Sequence, residues 1–439
     1  MNVLLIDSQY CFLDFALRCQ ESGHTVRWFI GPHKDGNPSA VGKGLGMRIQ
    51  EWEPSMKWAD IILVSDNAKY VKALEGYRNR GFPIFGPNVE TSQWELDRTK
   101  GQQVLAAAGI DIIPSTEFTN YDKAMTFVKA NMKRYVSKPS GDADKALSYV
   151  AKSPADMVFM LGHWKKEGRL KAPFILQEFH GGVEMAVGGW FGKNGFSHWW
   201  CENFEHKKLM NDDLGQNTGE MGTVLNYTDD SRLAEMVLLP LEAELIRQGY
   251  TGYIDVSVII GKDGRVWPLE FTTRPGWPLF QIQQQLHAGD PVEWMVDLLD
   301  GFDTFQPLEG VALGVVLAMP DFPYSRLIRK DYYGYPIYGI DKPRIRRHVH
   351  PAEMAWDKAP CEEKEKVVER DMWVTAGDYI LIVASTGNTV AEAQKNTYSI
   401  IEQIEIPNSP FYRTDIGDRV MCDLKALQNL GFATSWKGE

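Results

Sequence analysis

Asp255 and Ser257 stand two residues apart in the run I-D-V-S-V-I-I, and Glu270 ends the run R-V-W-P-L-E-F beyond a G-K-D-G turn. Alternate residues of a strand share a face, so a hairpin over 252–271 would aim two carboxylates, Asp255 and Glu270, into one space. Such a pair suits Mg²⁺ held against nucleotide phosphates: a hard cation takes a few carboxylate oxygens and completes its octahedron with phosphate and water. A solvated hairpin face is the plainer alternative. Lys138 ends R-Y-V-S-K and precedes P-S-G-D-A-D-K. A lysine leaving a buried strand beside a small-residue loop can reach phosphates that the loop covers, or can simply snorkel to the surface. In L-Q-E-F-H-G-G-V-E, residues 176–184, a strand runs into a turn with two acids. An exposed edge there could offer backbone groups to an adenine ring and Glu184 to ribose hydroxyls. The stretch D-L-G-Q-N-T-G-E-M-G, residues 213–222, reads as a loop before a helix. Gly215, Gly219 and Gly222 let a ligand approach the main chain, and Asn217 and Thr218 offer donors and acceptors. A tight surface loop would use the same residues.

These side chains need elements to hold them. Over the first hundred residues, V-L-L-I (3–6), T-V-R-W-F-I (25–30), D-I-I-L-V (60–64) and P-I-F-G-P (83–87) read as strands of a parallel sheet with helices between, a small α/β domain. A helix is expected from Asp97 to about Ala108, stopped by Gly109, and then strands over 134–138, 174–179 and 185–190. After Pro307 come G-V-A-L-G-V-V-L-A-M, a polar, tyrosine-rich middle, D-Y-I-L-I-V-A-S and the helix T-V-A-E-A-Q-K-N-T-Y, read as a third domain. No internal repeat or low-complexity tract is visible.

The 439 residues, 44% hydrophobic and 24% charged, suit an ordinary globular chain of two to four domains. A net charge of -11 argues against a broad footprint for duplex nucleic acid, which needs clustered Lys and Arg, although a local basic pocket or a nucleotide ligand remains compatible. Five cysteines without C-x-x-C spacing suggest neither a disulfide framework nor a structural zinc site. No apolar run approaches the roughly 18 residues that span a bilayer. Together these features predict a cytoplasmic protein with no membrane partner.

The order of the features carries more than any one of them. An α/β domain, a strand-end lysine with a small-residue loop, a Q-E-F hinge, an N-T-G-x-M-G loop, an acid hairpin ending E-F-x-x-R and a C-terminal T-V-A-E-A-Q-K helix together resemble phosphoribosylamine–glycine ligase, an ATP-grasp enzyme family of purine synthesis. The matching segments span nearly the whole chain: I-F-G-P (84–87), H-K with L-G-Q-N-T-G-E-M-G (206–222), Y-T-G-Y (250–253), L-E-F-T-T-R (269–274), V-T-A-G-D-Y-I-L (374–381), G-N-T-V-A-E-A-Q-K (387–395) and D-I-G-D-R (415–419). The resemblance implies an α/β (α+β) ATP-grasp fold with an N-terminal preATP-grasp domain over 1–97. An ATP-grasp domain over 98–307, with a mobile lid at about 120–190, and a mixed α/β C-terminal domain over 308–439 would follow. It implies ATP with Mg²⁺ or Mn²⁺, and small-molecule substrates. Lys138 matches the strand lysine on the ATP phosphates, Lys145 a lysine of the covering loop, and Arg98 a substitute for another phosphate-binding lysine. Gln177, Glu178 and Phe179 match the adenine hinge and Glu184 the ribose ligand, while Glu270, with Asp255 and Thr272, would hold the metal. Lys138, Lys207, Asn217 and Arg274 would be catalytic, and Asp213, Asn217, Thr218, Gly219, Met221 and Arg274 would line the substrate site. The implied chemistry is phosphorylation of a carboxylate by ATP, then attack of an amine on the acyl phosphate to leave an amide.

The departures from the family pattern fall mostly on the substrate side. Thr272 stands where the family has a metal-binding Asn, and the covering loop P-S-G-D-A-D-K-A-L has lost glycines. D-S-Q-Y-C-F-L-D follows the first strand in place of the Gly-rich turn that receives phosphate. S-D-N-A-K-Y (65–70) and R-P-G-W-P-L (274–279) replace G-P-E-x-P-L and R-F-G-D-P-E. The expected function is therefore a ligase joining glycine or a similar small amino acid to an amine other than free phosphoribosylamine, such as a modified nucleotide or nucleobase. The alternatives are a true phosphoribosylamine–glycine ligase and a catalytically silent nucleotide-binding module.

Overall fold

The protein is described by a computed structural model over residues 1–8, 10–31, 39–139, 148–169, 173–320, 322–323 and 332–439. Lys145 lies outside the described residues. At the N-terminus, strands β1 (Asn2–Asp7), β2 (Thr25–Ile30), β3 (Arg48–Ile49), β4 (Ile61–Val64) and β5 (Ile84–Phe85) form a parallel sheet in the order β3-β2-β1-β4-β5. Both faces of β1 and β4 are covered, which is why V-L-L-I and I-I-L-V are continuous apolar runs. The helix Arg98–Ala107 follows, with the Asp97 carboxylate accepting from the Thr99 and Lys100 amides as its N-cap. It stops before Gly109, whose φ of 80° suits glycine. The cap places Arg98 in the first turn, at the edge of the site.

Strands β6 (Ser115–Phe118), β7 (Tyr135–Pro139), β8 (Tyr149–Val150) and β9 (Phe174–Glu178) form an antiparallel sheet ordered β6-β9-β7-β8. With the helices Tyr121–Asn131 and Pro154–Lys166 it encloses its own core around Tyr135, Met157, Leu161, Trp164 and Leu176. A separate core lets such a unit move as a body.

The remaining strands are β10 (Val183–Gly192), β11 (Gly195–Glu205), β12 (Lys208–Met210), β13 (Leu214–Asn217), β14 (Gly222–Thr228), β15 (Gly252–Ile260), β16 (Val266–Thr272), β17 (Val311–Ala318), β18 (Val349–Pro351), β19 (Met354–Glu363), β20 (Lys366–Thr375) and β21 (Tyr379–Gly387). Eight of them build one antiparallel sheet, ordered β16-β15-β10-β11-β14-β17-β21-β18. Strand β10, at the end of the lid segment read from sequence, belongs to this sheet through β11 and β15. The sheet also runs across residue 307, because β14 pairs with β17 from Gly222↔Val315 to Asn226↔Val311. All eight residues of β17 are buried between its two neighbours.

One local expectation is corrected. Residues 213–222 are not an irregular loop before a helix. Leu214–Asn217 pairs with Lys208–Met210 as the small hairpin β12/β13, and strand β14 follows before any helix. Among the described residues, no helix is long and apolar enough to cross a membrane.

Candidate active site

The polar residues of the large sheet collect on one face because strand side chains alternate. In W-W-C-E-N-F-E of β11, Cys201, Asn203 and Glu205 share a side. The register carries that face outward: Asn203 lies opposite Ala186 of β10, Ala186 opposite Ser257 of β15, and Ser257 opposite Glu270 of β16. One row over, Gly188 lies opposite Asp255, and Asp255 opposite Thr272. Gly188 must be glycine, since a Cβ there would stand 2.0 Å from the Tyr253 hydroxyl oxygen. The space it leaves is used by the Tyr253 hydroxyl, which donates to Asp255 Oδ2 at 3.3 Å.

Lys207 sits at the centre of this face. Its Nζ is 2.8 Å from Glu184 Oε1, 2.9 Å from Glu205 Oε2 and 3.8 Å from Glu270 Oε1. Burial disfavours its charge, but the three carboxylates outweigh that and hold its pKa well above the usual lysine value. Glu270 also meets Arg98, with Nη1 at 2.5 Å from Oε2. Burial alone would raise the Glu270 pKa; Arg98, Lys207 and Lys138 reverse this and keep it ionised.

Lys138 projects from β7 toward the same place. Its ammonium has no ion pair or hydrogen bond among the described residues, and burial followed by the charge of Arg98 lowers its pKa to about 8. An unpaired, part-buried ammonium beside Arg98 and Lys207 is a standing attraction for an anion. Sequence reasoning thus placed Lys138, Arg98, Lys207, Glu184 and Glu270 in one site, and the structure brings all five together.

Asp255 lies deeper. Asn203 Nδ2 donates to its Oδ2 at 3.0 Å, while Asp255 Oδ1 and Asn203 Oδ1 are buried without a partner among the described residues. Burial and the charge of Glu205 push the Asp255 pKa up to about 7. Among the described residues, no group of three or more His, Cys, Asp or Glu side chains is arranged to hold a metal. The donor set does fit a divalent ion carried in on phosphates, which needs few protein oxygens: Glu270, the unpartnered Asp255 Oδ1 and the Thr272 hydroxyl opposite it.

The hinge is occupied by protein partners. The Glu178 amide donates to Pro114 O and the Phe179 amide to Arg134 O, because β9 lies between β6 and β7. Glu178 pairs with Lys133 at 2.6 Å, and the Arg134 guanidinium lies 3.4 Å from the Phe179 ring centre. The Gln177 side-chain Nε2 is buried without a partner among the described residues. Glu184, matched to ribose, is held instead by Lys207.

On the substrate side, the Thr218 amide and hydroxyl donate to Lys207 O at 2.7 and 2.9 Å, and the Met221 amide to His206 O. Asn217 pairs with Lys208 across the hairpin. A Cβ at Gly219 would meet nothing within 4 Å, so this residue borders open space. Asp213 is taken up by two arginines of the C-terminal region. It pairs with Arg413 and Arg419, each at 2.9 Å, and ties the hairpin to the D-I-G-D-R segment. Arg274 pairs with Glu95 at 3.1 Å and keeps its Nε without a partner among the described residues.

Four residues of the face escaped the sequence reading: Asn203, Glu205, Glu220 and Tyr379. The alternation Asn203, Glu205, Lys207 in C-E-N-F-E-H-K was the signal for the first two.

Residues 98–278 match the family model described as phosphoribosylglycinamide synthetase, ATP-grasp (A) domain. The chain is 24% identical to the phosphoribosylamine–glycine ligase of Halalkalibacterium halodurans, over 96% of this chain and 98% of that one. Residues 98–278 thus carry an ATP-grasp domain of the phosphoribosylglycinamide synthetase kind, and the chain is similar to phosphoribosylamine–glycine ligase along nearly its whole length. It is an ATP-grasp ligase that forms a C–N bond. Its fold is also that of the phosphoribosylamine–glycine ligase of Thermotoga maritima, with a TM-score of 0.70 at 20% identity over 95% of this chain and 100% of that one. A more distant ATP-grasp structure is the biotin carboxylase domain of 2-oxoglutarate carboxylase from Hydrogenobacter thermophilus, solved with ADP, magnesium and bicarbonate. Its TM-score is 0.59 at 12% identity, over 94% of this chain and 91% of that one.

Proposed function

We propose that the protein activates the carboxylate of glycine with ATP and transfers the acyl group to the amine of phosphoribosylamine. The observation that carries the nucleotide half is the meeting of Lys138, Arg98 and Lys207 around Glu270. The acceptor is supported by the curated relatives, whose names give phosphoribosylamine and glycine as substrates.

In this reading Lys138 and Arg98 bind the triphosphate and neutralise charge as the γ-phosphoryl passes to the carboxylate oxygen. Lys207, oriented by Glu184 and Glu205, faces the transferred group. A magnesium ion bound by Glu270, Asp255 and Thr272 would supply further charge neutralisation on the phosphates. The turn 218–221, fixed on the carbonyls of His206 and Lys207, bounds the space in which the acyl phosphate meets the amine. Attack by the amine then expels phosphate and leaves the amide.

A second reading, with an amine lacking the ribose phosphate, is favoured by the turn after β1. Asp7 accepts from the amides of Cys11 and Phe12, at 3.2 and 2.9 Å, and from Ser65 and Trp28. Asp66 accepts from the amides of Ala68 and Lys69, both at 2.8 Å. Backbone donors that could cradle a phosphate are thus taken by internal carboxylates. The test supplies ATP, glycine and freshly generated phosphoribosylamine to purified protein and follows ADP and amide by mass spectrometry. Amide formation at ordinary substrate levels supports the first reading. Glycine-dependent ADP release with hydroxylamine, but no amide from phosphoribosylamine, supports the second.

A further inference from the structure

Glu220 is a buried acid in the N-T-G-E-M-G turn. Its position is fixed on both sides, by the Thr218 amide on Lys207 O and the Met221 amide on His206 O. The residue is 3% exposed, and the Thr223 hydroxyl donates to its Oε1. Thr223 is the β14 partner of Glu205. The Glu220 carboxyl therefore lies on the active face, beside the Glu205 that Lys207 bridges to Glu184 and Glu270.

Three features make this an incomplete arrangement. The charged groups that act on Glu220 are Glu205, Lys207, Asp255 and Glu184, so one ammonium is set against several carboxylates. Burial and the charge of Glu205 push the Glu220 pKa well up, which marks a place where a cation would be welcome. At the start of β21, the Tyr379 hydroxyl, which feels the charge of Glu220, is buried without a partner among the described residues. The Tyr379 ring is 4.9 Å from that of Trp277, whose indole N–H is likewise buried and unpartnered. Buried polar atoms left unpaired in this way call for a ligand.

We propose that Glu220 is the general base of the second half-reaction, binding the acceptor's ammonium and taking one of its protons, with the Tyr379 hydroxyl as a second contact. The inference rests on the ligase reading above. An amine that arrives protonated has no lone pair to attack with, so a buried acceptor of its proton is what the step requires. Entry of the ammonium beside Glu220 favours its ionised form, so its own proton leaves to solvent as the acceptor binds, and the carboxylate then takes one proton from R–NH₃⁺. The freed nitrogen then bonds to the acyl carbon, the C–O bond to phosphate breaks, and the second proton leaves the nitrogen with the departing phosphate. Neutral amide, hydrogen phosphate and protonated Glu220 result, and the last returns its proton to solvent.

The experiment compares two nucleophiles on the same acyl phosphate in the full-length protein with ATP, magnesium and glycine. Hydroxylamine is neutral near pH 7 and needs no base, whereas phosphoribosylamine, made from ribose 5-phosphate and ammonia, needs one when it enters protonated. In Glu220→Gln, the ratio of amide to hydroxamate should fall by about 100-fold or more, and it should recover partly as pH rises and the amine loses its proton in solution. Glu220→Asp, which keeps a carboxylate, should lose much less and serves as the readout if the Gln variant fails to fold. An unchanged ratio in Glu220→Gln, or equal loss of both products in a variant that still binds ATP, would overturn the proposal. No hydroxamate from the parent protein would instead overturn the ligase reading itself. Hydroxamate without amide from the parent would remove phosphoribosylamine as acceptor, and with it this role for Glu220.

Discussion

The face around Lys138 and the turn after β1 handle charge in opposite ways. Lys138 keeps an ammonium without a partner among the described residues, and Asp255 and Asn203 keep buried oxygens unpaired. The turn after β1 holds Asp7 with four donors, and the neighbouring turn after β4 holds Asp66 with the amides of Ala68 and Lys69. A buried polar group without a partner costs free energy that only a ligand returns, whereas a saturated one gains nothing from binding. The first region is therefore built to receive something, and the second to hold itself together.

The largest break in the comparison comes from Glu270→Gln. It removes the carboxylate that meets Arg98 and Lys207, and the metal position with it. Turnover should fall by at least about 100-fold while the fold is kept, as a steady-state ADP assay with circular dichroism would show. Next comes Lys138→Ala, which deletes the unpaired cation. Loss of charge-assisted bonds worth about 1.5 to 3 kcal/mol should weaken ATP by roughly 10- to 100-fold in calorimetry.

Asp66→Asn probes the saturated side. It removes a charge from the amides of Ala68 and Lys69, so inorganic phosphate should inhibit the variant several-fold more strongly than the parent. Equal inhibition would show that these amides have no access to an anion. Thr272→Asn should have the smallest effect. An amide oxygen is a better ligand than a hydroxyl, so the magnesium needed for half-maximal rate should drop modestly, with kcat kept.

Much of this was legible in the sequence where local pattern decides structure. The strand T-V-R-W-F-I, the Asp97-capped helix ending before Gly109 and the hairpin around G-K-D-G all formed as their residues dictate. Lys138, Lys207 and Glu270 were readable because each sits at a strand end beside a motif. What escaped depends on register between distant strands. Glu220 reaches the site only because Thr223 pairs with Glu205, and Tyr379 only because β21 joins the sheet through β17. Asp213 was read as a substrate residue, and its ion pairs with Arg413 and Arg419 lie some two hundred residues along the chain. No periodicity in D-L-G-Q-N-T-G could announce them.

The central claim, that the unpaired Lys138 ammonium is part of the triphosphate site, is tested most directly by ATP affinity as a function of pH. Burial and Arg98 lower the Lys138 pKa to about 8, so below that value the group is charged and above it neutral. Bound phosphates favour the charged form and raise the pKa, so ATP affinity should be full below about pH 8 and decline as pH rises through it. Calorimetry in buffers of different ionisation enthalpy should detect proton uptake on binding in that range, and Lys138→Ala should lose both the decline and the uptake. An affinity that stays flat across this range in the parent protein, with no proton taken up, would contradict the placement of the triphosphate on Lys138.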